Sequence, residues 1–399
     1  MILRLAPLAV GLLVAGIPAA DRPLVPNPAA VAAAPPELLE RVRADPFNYF
    51  RMVNREWTIR ACEMFAADLP GQPIAQLHGD AHVEQYAFTE QAWGLDDFDD
   101  SARGPALVDI LRFLGSLDLA ARRRGWSAQR DALVDRFFEG YRRGLADPSY
   151  LPPEPGVITR LRRRDPVRTH REFLAWSDRL TRPMEQARMP GVIAGMRVFA
   201  DVVLSERPEL TRDYFEVGRA GWLHMGIGSA ALPKVLIRLR GPSPDPADDV
   251  ILEAKLLRAL DGVPCLEVPV SRPAFRIVAG NRQVGRLHHE ILAYGPDLVV
   301  PEMAAQRKDL RYWWIRNWEA SYREVALGDF RTIQEFSDVV FDAGVQLGAG
   351  RIHGSSGAAA TELTSASLAS LAALEPRLRA ASETLVRELL AGWREIRRR

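Results

Sequence analysis

Residues 78–109 read HGDAHVEQYAFTEQAWGLDDFDDSARGPALVD. This one stretch holds an HGD triplet (His78, Gly79, Asp80), a second histidine at His82, and five further aspartates: Asp96, Asp97, Asp99, Asp100 and Asp109. Apolar segments flank it, 73–77 before and 108–117 after. Carboxylates this dense repel one another unless a cation or a substrate proton sits among them. An arbitrary acidic run is best read as a solvated surface loop. Here the spacing points to chemistry instead.

The bulk properties limit the alternatives. With 399 residues, 47% hydrophobic and 26% charged, the chain has the composition of a soluble globular protein with room for one large or two ordinary domains. A formal net charge of +1 argues against electrostatic capture of nucleic acid or of an acidic membrane. The arginine run at 160–164 reads as a solvated helix face. The two cysteines, Cys62 and Cys265, exclude a disulfide scaffold and a cysteine-built zinc site. They are expected as unpaired core thiols, with a single bridge conceivable. Residues 1–20 place one arginine before an apolar run that ends in small residues. That pattern predicts a signal peptide, and so an exported or periplasmic protein, with a cytoplasmic one as the alternative. No stable membrane span is expected.

Periodicity predicts an α+β fold. Residues 21–35 are rich in proline and alanine and read as an extended linker. A mostly helical lobe is expected over 36–215, with the acidic loop inside it and a strong helix at 106–124 whose apolar stripe is Leu107, Ile110, Leu111, Leu114 and Leu117. A β-rich lobe is expected over 216–305, with GPSPDPADD as a hairpin loop. Residues 274–289 suit either a hairpin or a helix. The chain returns to helices over 306–399, at 312–325, at 334–347 and from about 363.

Phosphoryl transfer from ATP requires a carboxylate facing the attacking hydroxyl, oxygen ligands for magnesium, and a glycine-rich turn with a lysine for the phosphates. Kinase-like small-molecule phosphotransferases meet the first two with H-G-D-x-x-x-x-N followed by D-F/W. His78, Gly79, Asp80 and Gln85 occupy the first part here, and Leu95, Asp97, Phe98, Asp99 and Asp100 the second. The third requirement has candidates downstream. Gly226, Gly228 and Ser229 lie between two apolar runs, where their amides would cover phosphates, and Lys255 ends the run VILEAK.

On DPFNYFR, QLHGDAHVEQYAF, LDDFDDSARGPALVDILRFLGSL, MGIGSAAL, ILEAKLLRA and LGAGRIHG, the chain resembles the bacterial domain-of-unknown-function family 2252 over about residues 36–355. That family is similar in turn to aminoglycoside phosphotransferases and the protein-kinase-like fold. The resemblance implies Asp80 as catalytic base and Asp97 as principal metal ligand, with Asp99 serving the metal directly or through water. Gln85 stands where the family has a metal-binding asparagine. His78, His82 and Asp109 are implied as structural support for the loop, and His353 as structural. The run LVVPEM, with Glu302 and Met303, resembles the strand and hinge whose backbone meets adenine. The glycine loop and lysine follow the catalytic loop instead of preceding it, which implies a circularly permuted two-lobe arrangement. Glu267 and Glu290 are the candidates for the glutamate that pairs with the lysine.

The expected function is therefore an ATP- and Mg2+-dependent phosphotransferase acting on a hydroxyl of a small molecule or protein. One alternative is a nucleotide-binding pseudokinase with a regulatory role, which Gln85 favours. The weaker alternative is a metal-dependent phosphoesterase, for which seven histidines without a GNH motif give little support.

Overall fold

The computed structural model describes residues 22–223, 232–269, 273–296 and 312–398. The stretch expected as an extended linker contains a short helix, α1 (Pro28–Ala33), capped by Asn27, whose side chain accepts from the Ala29 N–H. Just before it, Leu24 is buried, and its N–H donates to the Glu388 carbonyl at 3.0 Å. Helices α2 (Pro36–Ala44), α3 (Pro46–Met52) and α4 (Asn54–Met64) follow. Proline opens the first two, where its missing N–H costs nothing, and Asp45 caps α3 by accepting from Phe47 N–H.

Four three-residue strands frame the acidic stretch: β1 (Ile74–Gln76), β2 (Tyr86–Phe88), β3 (Trp93–Leu95) and β4 (Arg103–Pro105). β1 pairs antiparallel with β4, so the entrance and exit of the stretch are held side by side, and β2 pairs antiparallel with β3 within it. α5 (Leu107–Arg124) leaves the stretch directly. Gly125, at φ 73°, ends it in a left-handed cap, as the glycine after the last apolar position predicts.

Helices α6 (Arg130–Ala146), α7 (Gly156–Arg164) and α8 (His170–Leu180), strand β5 (Thr181–Pro183) and helix α9 (Met189–Glu206) lead to the main sheet. Its remaining strands are β6 (Val217–Leu223), β7 (Lys234–Leu239), β8 (Val250–Leu256), β9 (Leu292–Pro296) and β10 (Tyr312–Asn317), with α10 (Phe275–Val284) between β8 and β9. The six strands run in the order β5-β6-β7-β8-β10-β9, and each neighbouring pair is antiparallel. Strand alternation sorts the faces. Leu252 and Ala254 of β8 and Trp313 and Ile315 of β10 pack with Met196 and Phe199 of α9. Glu253 and Lys255 fall on the opposite face. The chain then returns through β11 (Arg323–Glu324), which pairs with β2, to α11 (Ile333–Gly350) and the long α12 (Gly357–Arg398).

The helical part is centred on the crossing of α6 and α11. A Cβ added to Gly140 or Gly144 would lie 2.1 Å from the Phe341 or Val345 carbonyl oxygen, and one on Gly344 or Gly348 would lie 2.4 or 2.2 Å from that of Phe137 or Tyr141. Backbone meets backbone there, which only glycine permits.

Several expectations need correction. Residues 312–325 are not a helix. Trp313 to Asn317 are buried in β10, inside the sheet, and a short β11 follows. Their aromatic spacing tolerates either reading, but residues this buried on both sides of a β-sheet suit aromatic and β-branched side chains. The sheet thus extends past 305 into the part expected to be all helical. The ambiguous 274–289 piece contains α10. Cys62 and Cys265 are not free thiols but form a disulfide across 203 residues of sequence, a closure that constrains the unfolded chain by about 5 kcal/mol in the loop-entropy picture. Among the described residues no helix is long and apolar enough to cross a membrane.

Gly344→Val is expected to lower stability by about 3 kcal/mol or more, because neither helix backbone can retreat. Thermal denaturation followed by circular dichroism checks this; an unchanged midpoint would refute the close crossing.

Candidate functional site

The HGD turn is fixed by its own backbone. Gly79 sits at φ 85°, and a Cβ there would lie 1.9 Å from the Asp100 carbonyl oxygen. The Asp109 carboxylate, in the first turn of α5, accepts from His78 N–H at 2.9 Å and Gly79 N–H at 2.8 Å. His78 bonds the Asp96 carbonyl through Nε2 at 3.0 Å, and its Nδ1 accepts from Asp80 N–H at 3.3 Å. That pattern requires the ring proton on Nε2. Gln85 joins the two halves of the loop: its carbonyl accepts from Asp96 N–H at 2.8 Å. These contacts hold Asp80 and Asp97 in one place.

Asp80 is buried, and Oδ1 accepts from Arg112 Nε at 2.7 Å. Arg112 is itself fully buried on α5, donates to the Phe50 carbonyl at 3.0 Å, and lies 3.4 Å from the centroid of the Phe50 ring. Burial raises the Asp80 carboxyl above the ordinary range although Arg112 opposes it. His82 Nε2 is 3.9 Å from Asp80 Oδ2. The ring stands edge-on to Phe47 and Phe50, neither nitrogen has a hydrogen-bond partner among the described residues, and burial with the nearby Arg51 keeps it neutral.

The sheet supplies the opposing wall. Lys255 Nζ lies 2.9 Å from Asp97 Oδ1 and 3.4 Å from Asp99 Oδ2. Asp97 is the one non-glycine residue with positive φ among those described, at 64°, a conformation aspartate tolerates better than most residues. Burial works against its charge, yet Lys255 and Arg316 hold its carboxyl far below the usual range. Despite burial, Asp97 and Asp99 in turn hold the Lys255 ammonium above its usual range. Asp99 goes the other way: burial and the Asp97 charge push it up to about 6. Asp100 Oδ2 accepts from Arg258 at 2.6 Å and from Asn54 at 2.8 Å. Arg316 of β10 bridges Asp96 at 2.9 Å and Glu253 at 3.1 Å.

Asp80, Gln85, Asp97, Asp99, Lys234 and Lys255 line one cavity of about 480 Å³. The sequence-predicted base, metal ligands and lysine therefore meet. Gly226, Gly228, Ser229, Glu302 and Met303 lie outside the described residues. Neither candidate glutamate meets the lysine: Glu267 pairs with Arg103 at 3.6 Å and Glu290 is exposed. The acidic partners of Lys255 are Asp97 and Asp99 instead. His353 bonds the Gln283 and Pro148 carbonyls at 2.9 and 3.1 Å, away from this cavity.

Sequence reasoning missed Lys234, Arg112, Arg258 and Arg316. Lys234 faces Lys255 across the β7–β8 register. A signal existed, because the chain has three lysines, Lys234, Lys255 and Lys308, within a Lys+Arg total of 52. Arg112 lies in α5 opposite the apolar stripe, on a helix buried all round from Leu107 to Ala121, where an arginine is buried only with a partner.

The carboxylates suit a divalent cation. Asp99 Oδ1 is buried without a hydrogen-bond partner among the described residues, and Asp97 and Asp99 are close enough to perturb one another. No group of three histidine, cysteine, aspartate or glutamate side chains forms a metal cluster among the described residues. Asp97, Asp99 and Gln85, which line the same cavity, are the residues that could hold a divalent cation there.

Residues 31–170 match the family model described as an uncharacterized protein conserved in bacteria (DUF2252). The match takes in the whole acidic stretch and supports the resemblance to that family. It stops before the main sheet, so Lys255 lies beyond it. No curated protein and no solved structure matches the chain.

Asp99→Asn is expected to stabilise the ligand-free protein at pH 7 by about 2 kcal/mol. A carboxyl raised from about 4 to about 6 loses its proton in the unfolded chain first, so it destabilises the fold as pH climbs through that window. Wild type and variant should have equal stability near pH 3.5 and diverge by pH 6.5 in urea titrations. Parallel curves would contradict the assignment.

Proposed function

We propose that this protein is an ATP- and Mg2+-dependent phosphotransferase with a circularly permuted, kinase-like two-lobe fold, acting on a hydroxyl acceptor. One observation carries the reading: Lys255 reaches Asp97 at 2.9 Å in the cavity that also contains Asp80. Kinases place their phosphate-binding lysine on the third strand of the nucleotide lobe, under a glycine-rich connection between the first two. Lys255 is on the third strand of the β6–β7–β8 meander. The connection from β6 to β7 contains Gly226, Gly228 and Ser229.

In this reading Lys255 and Lys234 hold the phosphates and Asp97, Asp99 and Gln85 hold magnesium, which when bound neutralises charge on them. Asp80, oriented by Arg112, accepts the proton of the acceptor hydroxyl as that oxygen forms its bond to the γ-phosphorus. The bond from the γ-phosphorus to the bridging oxygen breaks, and ADP leaves. Burial raises the Asp80 carboxyl, the direction that makes a carboxylate a stronger base.

A second reading, nucleotide binding without turnover, is favoured by the Cys62–Cys265 bridge. Oxidising compartments preserve such bridges, which also supports export, and ATP is scarce there.

Calorimetric titration of the purified chain with ATP separates these readings. Magnesium-dependent binding is expected, weakened about tenfold or more by Asp97→Ala. Asp80→Asn should retain binding but slow ADP formation at least about a hundredfold. Binding indifferent to magnesium and to Asp97→Ala would sink the phosphotransferase reading. Magnesium-dependent binding with no ADP formed by wild type would favour the second.

A further inference from the structure

The cavity is longer than the lysine–aspartate wall, and its remaining lining is rich in arginine. Arg41 on α2, Arg51 on α3, Arg168 between α7 and α8, and Arg323 on β11 all face it. Four separate segments thus bring guanidinium groups to one opening.

Two of the four lack a carboxylate partner. Arg323 donates to the Ala320 and Tyr322 carbonyls at 2.9 and 2.7 Å, and Arg168 stacks 4.6 Å from the Trp176 ring centroid. Neither makes an ion pair with a carboxylate among the described residues. They are near enough to repel: burial and the Arg168 charge together lower the Arg323 guanidinium below its ordinary range. Each feels one carboxylate at longer range, Asp165 for Arg323 and Glu172 for Arg168, but Asp165 is bonded to Arg164 at 2.6 Å and Glu172 to Thr169, so an anion between the two arginines would be their first direct counter-charge. Arg51 continues the positive wall inward. It pairs with Glu84 at 3.4 Å, but Glu84 also faces Arg123 at 4.0 Å, and the Arg51 charge reaches the His82 ring beside Asp80.

Resting on the phosphotransferase reading, we propose that the hydroxyl acceptor is itself an anion, an alcohol bearing a carboxylate or phosphate group. Arg168 and Arg323 hold that group at the rim, and Arg51 guides the hydroxyl end toward Asp80. Planar guanidinium groups recognise either oxyanion in bidentate fashion, so the shared chemistry is a compact oxyanion on a polyol. A polycationic amino sugar would meet like charge along this path.

Titration of the full chain, with Mg-ATP present, against four related sugars tests this: glucose, glucosamine, gluconate and glucose 6-phosphate. Gluconate or glucose 6-phosphate is expected to bind at least about tenfold more tightly than glucose, and glucosamine not at all. Preference between the two anions tells a carboxylate acceptor from a phosphate one. Arg168→Gln should remove about tenfold of the anion's affinity and leave Mg-ATP affinity unchanged, and Arg323→Gln should do the same if its loop stays folded. Glucosamine binding as well as the anions, or no anion binding while Mg-ATP still binds, would overturn the acceptor assignment and leave the nucleotide reading standing. Failure of Mg-ATP itself to bind would remove both.

Discussion

The contact on which this structure depends is the ion pair between the buried Lys255 and the half-buried Asp97. The two residues are 158 positions apart in sequence and belong to different layers, one on the main sheet and one in the acidic stretch. Each is placed by a device of its own. Alternation along β8 turns Lys255 away from α9, and the left-handed backbone at Asp97 aims its carboxylate outward from the loop. A buried cation without its anion is strongly unfavourable, so sheet and loop are obliged to meet there.

Around that pair the charges are arranged in alternating sign. Arg316 stands between Asp96 and Glu253, Arg258 against Asp100, and Arg112 against Asp80. Two places depart from it: Lys234 faces Lys255 across β7 and β8, and the Asp99 carboxyl is pushed up by burial and by Asp97, its Oδ1, like those of Asp96 and Asp100, having no hydrogen-bond partner among the described residues. Structural networks tend to satisfy every member, and an unsatisfied one marks a place prepared for something else. A cation on Asp97 and Asp99 with phosphates on the lysines would complete the pattern.

Much of this was legible in the sequence, for physical reasons that can be named. Gly79, Asp80 and Asp109 act over short distances through backbone bonds, so their spacing alone reveals the turn. Lys255 is legible because VILEAK alternates as a strand must. The helix assigned to 312–325 failed because YWWIRN is buried by neighbours distant in sequence, and Arg316 looks like a surface residue until Asp96 and Glu253 are placed beside it. Arg112, Arg258 and the Cys62–Cys265 bridge are likewise long-range facts. Lys234 was readable from the scarcity of lysine in an arginine-rich chain.

The most direct test of the account is a double-mutant cycle on Lys255→Met and Asp97→Asn, read as unfolding free energy in urea. The account predicts that each single change destabilises the protein by more than its share of the double, with a coupling of about 2 kcal/mol. Additive effects would contradict it: sheet and acidic loop would then not meet at this pair, and the site built on their contact would fall with it.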